Sequence, residues 1–237
     1  MPVELEVLDD PGRACSAMLV GVAAGGGHIV LTGGSTPQAA YREFVDAVLS
    51  VGIDVSRSTM WFGDERCVPP EDSRSNYGAA KESMFDPLAD HGLPTIHRIK
   101  GELGPGPAAD DYEGVLRSAG SPRFDLMLLG MGPDGHCASL FPDQASLSER
   151  SRSVVGVEES GLEPFVPRVS MTLPRLANAR QVVLLITGES KAAAVAAIFG
   201  PGARPDPHVP TSLLVPMAKE IKVLLDPAAA SGLGGGA

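Results

Sequence analysis

Cysteines, aromatic residues and long apolar runs are all scarce in this chain, and each scarcity excludes something. The three cysteines, Cys15, Cys67 and Cys137, cannot all pair and have no metal-ligand spacing. A disulfide framework is therefore not expected, no metal site is expected, and a reducing cytoplasmic location is. No stretch approaches the roughly 18 uninterrupted apolar residues of a membrane span. The opening Met-Pro-Val-Glu-Leu-Glu has neither the basic nor the apolar region of a signal peptide. Positive charge is also in the minority: 19 Lys and Arg stand against 29 Asp and Glu, for a net charge of −10. That balance argues against nucleic acid or an acidic membrane as partner, and it requires any anionic ligand to meet a locally basic pocket.

What remains is enough for a full core. With 237 residues, 43% of them hydrophobic, the chain reads as one α/β domain over 1–230. Apolar runs at 28–32, 60–62, 124–129, 182–187 and 221–225 read as strands, the last closing the sheet. Stretches with helical spacing at 12–24, 36–51, 107–119 and 189–199 alternate with them. The alternation predicts a mostly parallel sheet with helices on both faces. Polar residues and turn formers over 143–167 suggest a flap or small subdomain, and the glycine-rich 231–237 reads as a disordered tail.

The most informative segment is 124–142. A buried strand empties into a glycine-rich turn carrying Asp134 and His136, two residues apart. Parallel strands end at ligand clefts, glycines let backbone N–H groups approach an anion, and an imidazole beside a carboxylate is a candidate general base. Gly130, Gly132 and Gly135 also spell G-x-G-x-x-G, but the dinucleotide reading fails on three points. Asp134 would put a negative charge where pyrophosphate should lie, Pro142 cuts short any following helix, and position 150, where an acid is needed, is an arginine.

Other segments are open to two readings. The turn Gly33, Gly34, Ser35, Thr36 before Pro37 serves equally as a helix cap or as a phosphate cradle. In 63–66, Asp64, Glu65 and Arg66 form either an ion-paired turn or a cleft wall, with the acids as possible bases and Arg66 as an anion clamp. Lys191 sits in a predicted first helical turn, where a cation opposes the dipole unless an anion binds or the side chain reaches solvent. Arg168 opens a β-like stretch, as a surface strand-end residue or as a cleft residue. His28, His91, His97 and His208 have no carboxylate or glycine partners and read as structural. There is no Gly-x-Ser-x-Gly elbow.

Taken in order, L-T-G-G-S-T-P (31–37), W-F-G-D-E-R-C-V-P (61–69), S-N-Y (75–77), G-M-G-P-D-G-H-C-A-S-L-F-P (130–142), R-V-S-M-T-L-P (168–174) and T-G-E-S-K-A (187–192) resemble the 6-phosphogluconolactonase family. The resemblance implies a fold like that of glucosamine-6-phosphate deaminase and ribose-5-phosphate isomerase, with no cofactor and no metal. It implies hydrolysis of 6-phospho-D-glucono-1,5-lactone in the oxidative pentose phosphate pathway by a monomer or homodimer. His136 would activate water and Asp134 would position it or the substrate. Arg66, Arg168 and Lys191 would line the anionic pocket, with 33–36 around the phosphate. The deaminase of the same fold is the alternative. It has a tyrosine where Arg66 stands and Asn-Glu-Pro where this chain has Leu140, Phe141 and Pro142, so the extra carboxylate that isomerisation needs near the histidine is missing. A non-catalytic sugar-phosphate binder is the remaining reading, disfavoured by the presence of His136.

Overall fold

The computed structural model describes residues 3–234. Its strands are β1 (Val3–Val7), β2 (His28–Leu31), β3 (Thr59–Phe62), β4 (Asp64–Arg66), β5 (Thr95–His97), β6 (Phe124–Leu129), β7 (Val154–Val157), β8 (Arg168–Met171), β9 (Ala179–Ile186) and β10 (Ile221–Leu225). The helices are α1 (Pro11–Ala24), α2 (Ser35–Val51), α3 (Asn76–Ala80), α4 (Pro105–Ser118), α5 (Leu173–Ala177), α6 (Ala192–Phe199), α7 (Thr211–Leu214) and α8 (Pro227–Ala230).

Seven strands form one sheet in the order β1-β10-β9-β6-β2-β3-β5, every pair parallel. The central strands are apolar along their buried stretches, as strands covered on both faces must be: Ile29, Val30 and Leu31 of β2 and 126–129 of β6 are buried. The expected α/β class holds, with one difference at the edge. β10 does not close the sheet; β1 lies outside it, pairing Val3 to Ile221 and Val7 to Leu225. Edge strands are half exposed, so β1 and β5 carry little of the apolar signal that marks the centre.

The residues that make the long helices are those that reach the core. In α2, Ala40, Tyr41, Phe44, Val45 and Val48 are buried at helical spacing, and Gly52 ends the helix with φ +69°. In α4, Ala108, Ala109, Tyr112 and Leu116 do the same. Two tyrosine hydroxyls then tie helices to strand ends. Tyr41 donates to the carbonyl of Thr32 at 2.8 Å and accepts its N–H at 3.0 Å, while Tyr112 accepts the N–H of Phe62 at 3.0 Å. Beside Tyr112, Trp61 stacks on His97 with centroids 4.2 Å apart and donates to Nδ1 of His28 at 3.1 Å.

A second, antiparallel sheet in the order β4-β8-β7 sits beside the first. It draws β7 from the segment 143–167, whose remainder includes a 3-10 turn at Ala145–Ser148 and the loop 158–167. The expected disordered tail departs from its description in part: Ser231–Leu233 is a 3-10 turn, with Gly232 packed so closely on α6 that a Cβ would lie 2.7 Å from the Ala192 carbonyl oxygen. Positions 235–237 of that tail lie outside the described residues.

Candidate active site

Strand order places the site. From β2 the chain crosses to β3 on one side, and from β6 it crosses to β9 on the other, so the loops leaving these adjacent strands diverge. Such a switch point opens a crevice at the carboxyl ends of the strands. A cavity of about 420 Å³ lies there, walled by 33–36 after β2 and by Gly130, Gly132, His136 and Ala138 after β6. Arg66, Arg168 and Lys191 also line it, so one cavity gathers every residue that the family resemblance implies for the site except Asp134.

Asp134 stands behind His136 instead. Its Oδ1 lies 2.6 Å from His136 Nδ1, and the same oxygen accepts the His136 backbone N–H at 3.2 Å. This contact fixes the Nδ1–H tautomer and leaves Nε2 as the acceptor. Burial pushes the Asp134 carboxyl up, but the hydrogen bond and charge of His136 outweigh it and hold the group below the usual carboxylate range. The turn needs its glycines for this arrangement. A Cβ on Gly132 would lie 2.0 Å from His136 Nδ1, and Gly135 has φ +76° with Val209 2.4 Å from where its Cβ would be. Phe141, fully buried, packs its ring 4.6 Å from the imidazole.

At the start of α2, Gly34 adopts φ +114° and no side chain caps the helix. The first-turn residues Ser35 and Thr36 line the cavity and their N–H groups have no side-chain cap, a helix start suited to an anion. Thr36 and Thr187 hydroxyls meet at 2.8 Å, joining this turn to the loop that carries Lys191. Lys191 is the last residue of a 3-10 turn, Glu189–Lys191, that leads into α6. Burial lowers its pKa, and the charge of Asp134 opposes that fall.

The two arginines face each other across the β4–β8 pair, Arg66 in register with Arg168. Arg168 is only 3% exposed, so it is not a surface strand-end residue. One of its nitrogens, Nη2, donates to Ser160 Oγ at 3.0 Å, the Leu162 carbonyl at 3.1 Å and the Pro164 carbonyl at 3.0 Å, and the guanidinium lies 5.6 Å over Phe141. Burial and the nearby Arg66 lower its pKa. Nor is 64–66 an ion-paired turn. Arg66 donates to the Arg74 carbonyl at 2.6 Å, while Glu65 accepts N–H groups from Arg66, Asn76 and Tyr77. None of the ion pairs among the described residues involves Arg66, Arg168 or Lys191. Three cations without carboxylate partners around one cavity favour an anionic ligand.

Two further residues belong to the site. Asp64, buried, lines the cavity floor and accepts from Ser139 Oγ at 2.6 Å and Asn76 Nδ2 at 3.1 Å. Asn76 sets its amide against Gly33 so tightly that a Cβ there would lie 1.9 Å from Oδ1. The S-N-Y motif pointed to this position, but nothing in its local pattern carried a role. Among the described residues no three His, Cys, Asp or Glu side chains group as metal ligands, and no helix is long and apolar enough to cross a membrane.

A family model described as "Glucosamine-6-phosphate isomerases/6-phosphogluconolactonase" matches residues 15–223. The chain is 39% identical over 170 residues to 6-phosphogluconolactonase of Haemophilus influenzae, covering 70% of each. It is 38% identical over 207 residues to 6-phosphogluconolactonase of Homo sapiens, covering 84% of this chain and 78% of that protein. The solved 6-phosphogluconolactonase of Trypanosoma cruzi superposes with a TM-score of 0.83 at 26% identity, over 98% of this chain and 97% of that one. The chain belongs to the glucosamine-6-phosphate isomerase/6-phosphogluconolactonase family.

Proposed function

We propose that this protein is a 6-phosphogluconolactonase, hydrolysing 6-phospho-D-glucono-1,5-lactone to 6-phospho-D-gluconate in the oxidative pentose phosphate pathway, in the cytoplasm. The observation that carries the reading is one cavity holding a carboxylate-oriented imidazole, an uncapped helix start and three cations free of ion pairs. In this reading the phosphate sits against 33–36 at the start of α2, with Lys191 beside it. His136 Nε2 removes a proton from water as the oxygen attacks the lactone carbonyl, and Asp134 stabilises the imidazolium that forms. Arg66 and Arg168 offer guanidinium donors to the anion that develops on the carbonyl oxygen. The C1–O5 ester bond then breaks, and the imidazolium returns its proton to the ring oxygen as that oxygen leaves as an alcohol. No redox change occurs, so the reaction needs no oxidant or reductant.

The deaminase reading requires a further carboxylate beside the histidine, and the side chain packed there is Phe141. The test is turnover of freshly generated 6-phosphogluconolactone above its spontaneous rate, run beside glucosamine 6-phosphate. Lactone hydrolysis with no ammonia release from the amino sugar is expected. Ammonia release with no lactone hydrolysis would reverse the assignment.

A further inference from the structure

The loop 158–167 reaches the cavity with Leu162 and Glu163, and Glu163 also lines an adjoining hollow with Arg66, Arg74 and Phe165. The backbone that presents Glu163 is pinned. The carbonyls immediately before and after it, Leu162 and Pro164, both accept from Nη2 of Arg168. The carboxylate itself is exposed and joins none of the ion pairs among the described residues, although Arg66 and Arg168 line the same cavity. A phosphate site alone would gain nothing from a negative charge on its wall. Such a charge is a repulsive element, and repulsive elements discriminate between ligands.

The proposed reaction supplies a pair of ligands to tell apart. The lactone is uncharged at C1, and the product carries a carboxylate there. Glu163 lines the same cavity as Arg66 and Arg168, the groups placed at the lactone carbonyl. A carboxylate formed at that carbonyl therefore shares the cavity with the Glu163 charge. We propose that Glu163 is a specificity-determining residue that disfavours the carboxylate product relative to the uncharged lactone and so promotes product release. Arg168 is the positioning residue that holds it there. This inference rests on the lactonase reading.

Two non-reacting ligands test it by calorimetry: 6-phosphogluconate, and glucitol 6-phosphate, which has the same chain with an uncharged C1 alcohol. In Glu163→Gln the ratio of the two Kd values is expected to shift toward 6-phosphogluconate by about two- to fivefold, the scale of an exposed charge pair. Glu163→Asp should keep the wild-type ratio, and 1 M salt should erase the difference between wild type and Glu163→Gln. An unchanged ratio in Glu163→Gln would overturn the inference. So would an equal gain for both ligands, because Glu163 would then sense only the phosphate. If the wild type binds neither ligand, the sugar-phosphate reading falls first and this inference falls with it.

Discussion

At the level of single residues, the site depends on what its neighbours leave out. Gly132 has no side chain because the Asp134–His136 pair occupies that space. In Gly132→Ala a Cβ would stand 2.0 Å from Nδ1 of the imidazole and 2.5 Å from the Asp134 carboxylate. A base displaced by about 1 Å loses about a hundredfold in kcat. That loss is expected here with little change in phosphate affinity, as read by steady-state kinetics beside calorimetry with inorganic phosphate. Lys191 gives a pH prediction. In the proposed function its charged form holds the anionic substrate, and burial lowers its pKa from the ordinary 10.5. As pH rises through the lowered value the ammonium is lost, so binding of 6-phosphogluconate should weaken on the alkaline side before 10.5. Lys191→Arg should remove that weakening; an unaltered profile would take Lys191 out of the anion site. Cys137 adjoins His136 in sequence but is fully buried, which pushes its thiol up to about 12, and burial likewise takes Cys15 to about 12 and Cys67 to about 11. Thiolates are scarce at such values. Iodoacetamide at pH 8 should therefore leave activity intact, whereas rapid alkylation of Cys137 would mean that 130–138 opens.

At the level of elements, the proposed anion site is a junction of two loops that the sequence does not bring together. The start of α2 is shaped by Tyr41, whose hydroxyl holds Thr32, and is braced from outside by Asn76. Asn76 is in turn held by Glu65, through its backbone N–H, and by Asp64. Gly33→Ala must push the Asn76 amide away. The expected result is a several-fold higher KM with kcat nearly retained, since phosphate binding is shared by ground and transition states. A selective fall in kcat would instead place this loop at the reacting carbonyl. The central strands and long helices were legible because burial on both faces, or along one helical stripe, leaves a periodic signal. The edge strands β1 and β5, and β4 and β7 of the small sheet, were not, whereas β8 matches the β-like stretch that Arg168 opens. Those that were not are short and half exposed or charged, and β4 takes its register from a strand about 100 residues away, as with Arg66 and Arg168.

At the level of the whole molecule, an acidic chain of net charge −10 gathers three of its 19 basic residues around one crevice. The location of that crevice follows from topology: strand order reverses between β2 and β6, and both loops that leave there carry glycine-rich motifs. Those motifs could be read along the chain, as could the proximity of Asp134 to His136, two residues apart. The burial of Arg168, the unpaired state of the three cations and the part played by Asn76 and Glu163 could not, because each depends on distant segments folding against one another. His136 is proposed as the base in a sugar-phosphate site that binds independently of it. Its most direct test is hydrolysis of fresh 6-phosphoglucono-1,5-lactone by wild type and His136→Ala, with 6-phosphogluconate affinity measured on both. Fast wild-type turnover is expected, with a loss of at least about a hundredfold in the variant and affinities that agree closely. Near-normal turnover in His136→Ala would contradict it.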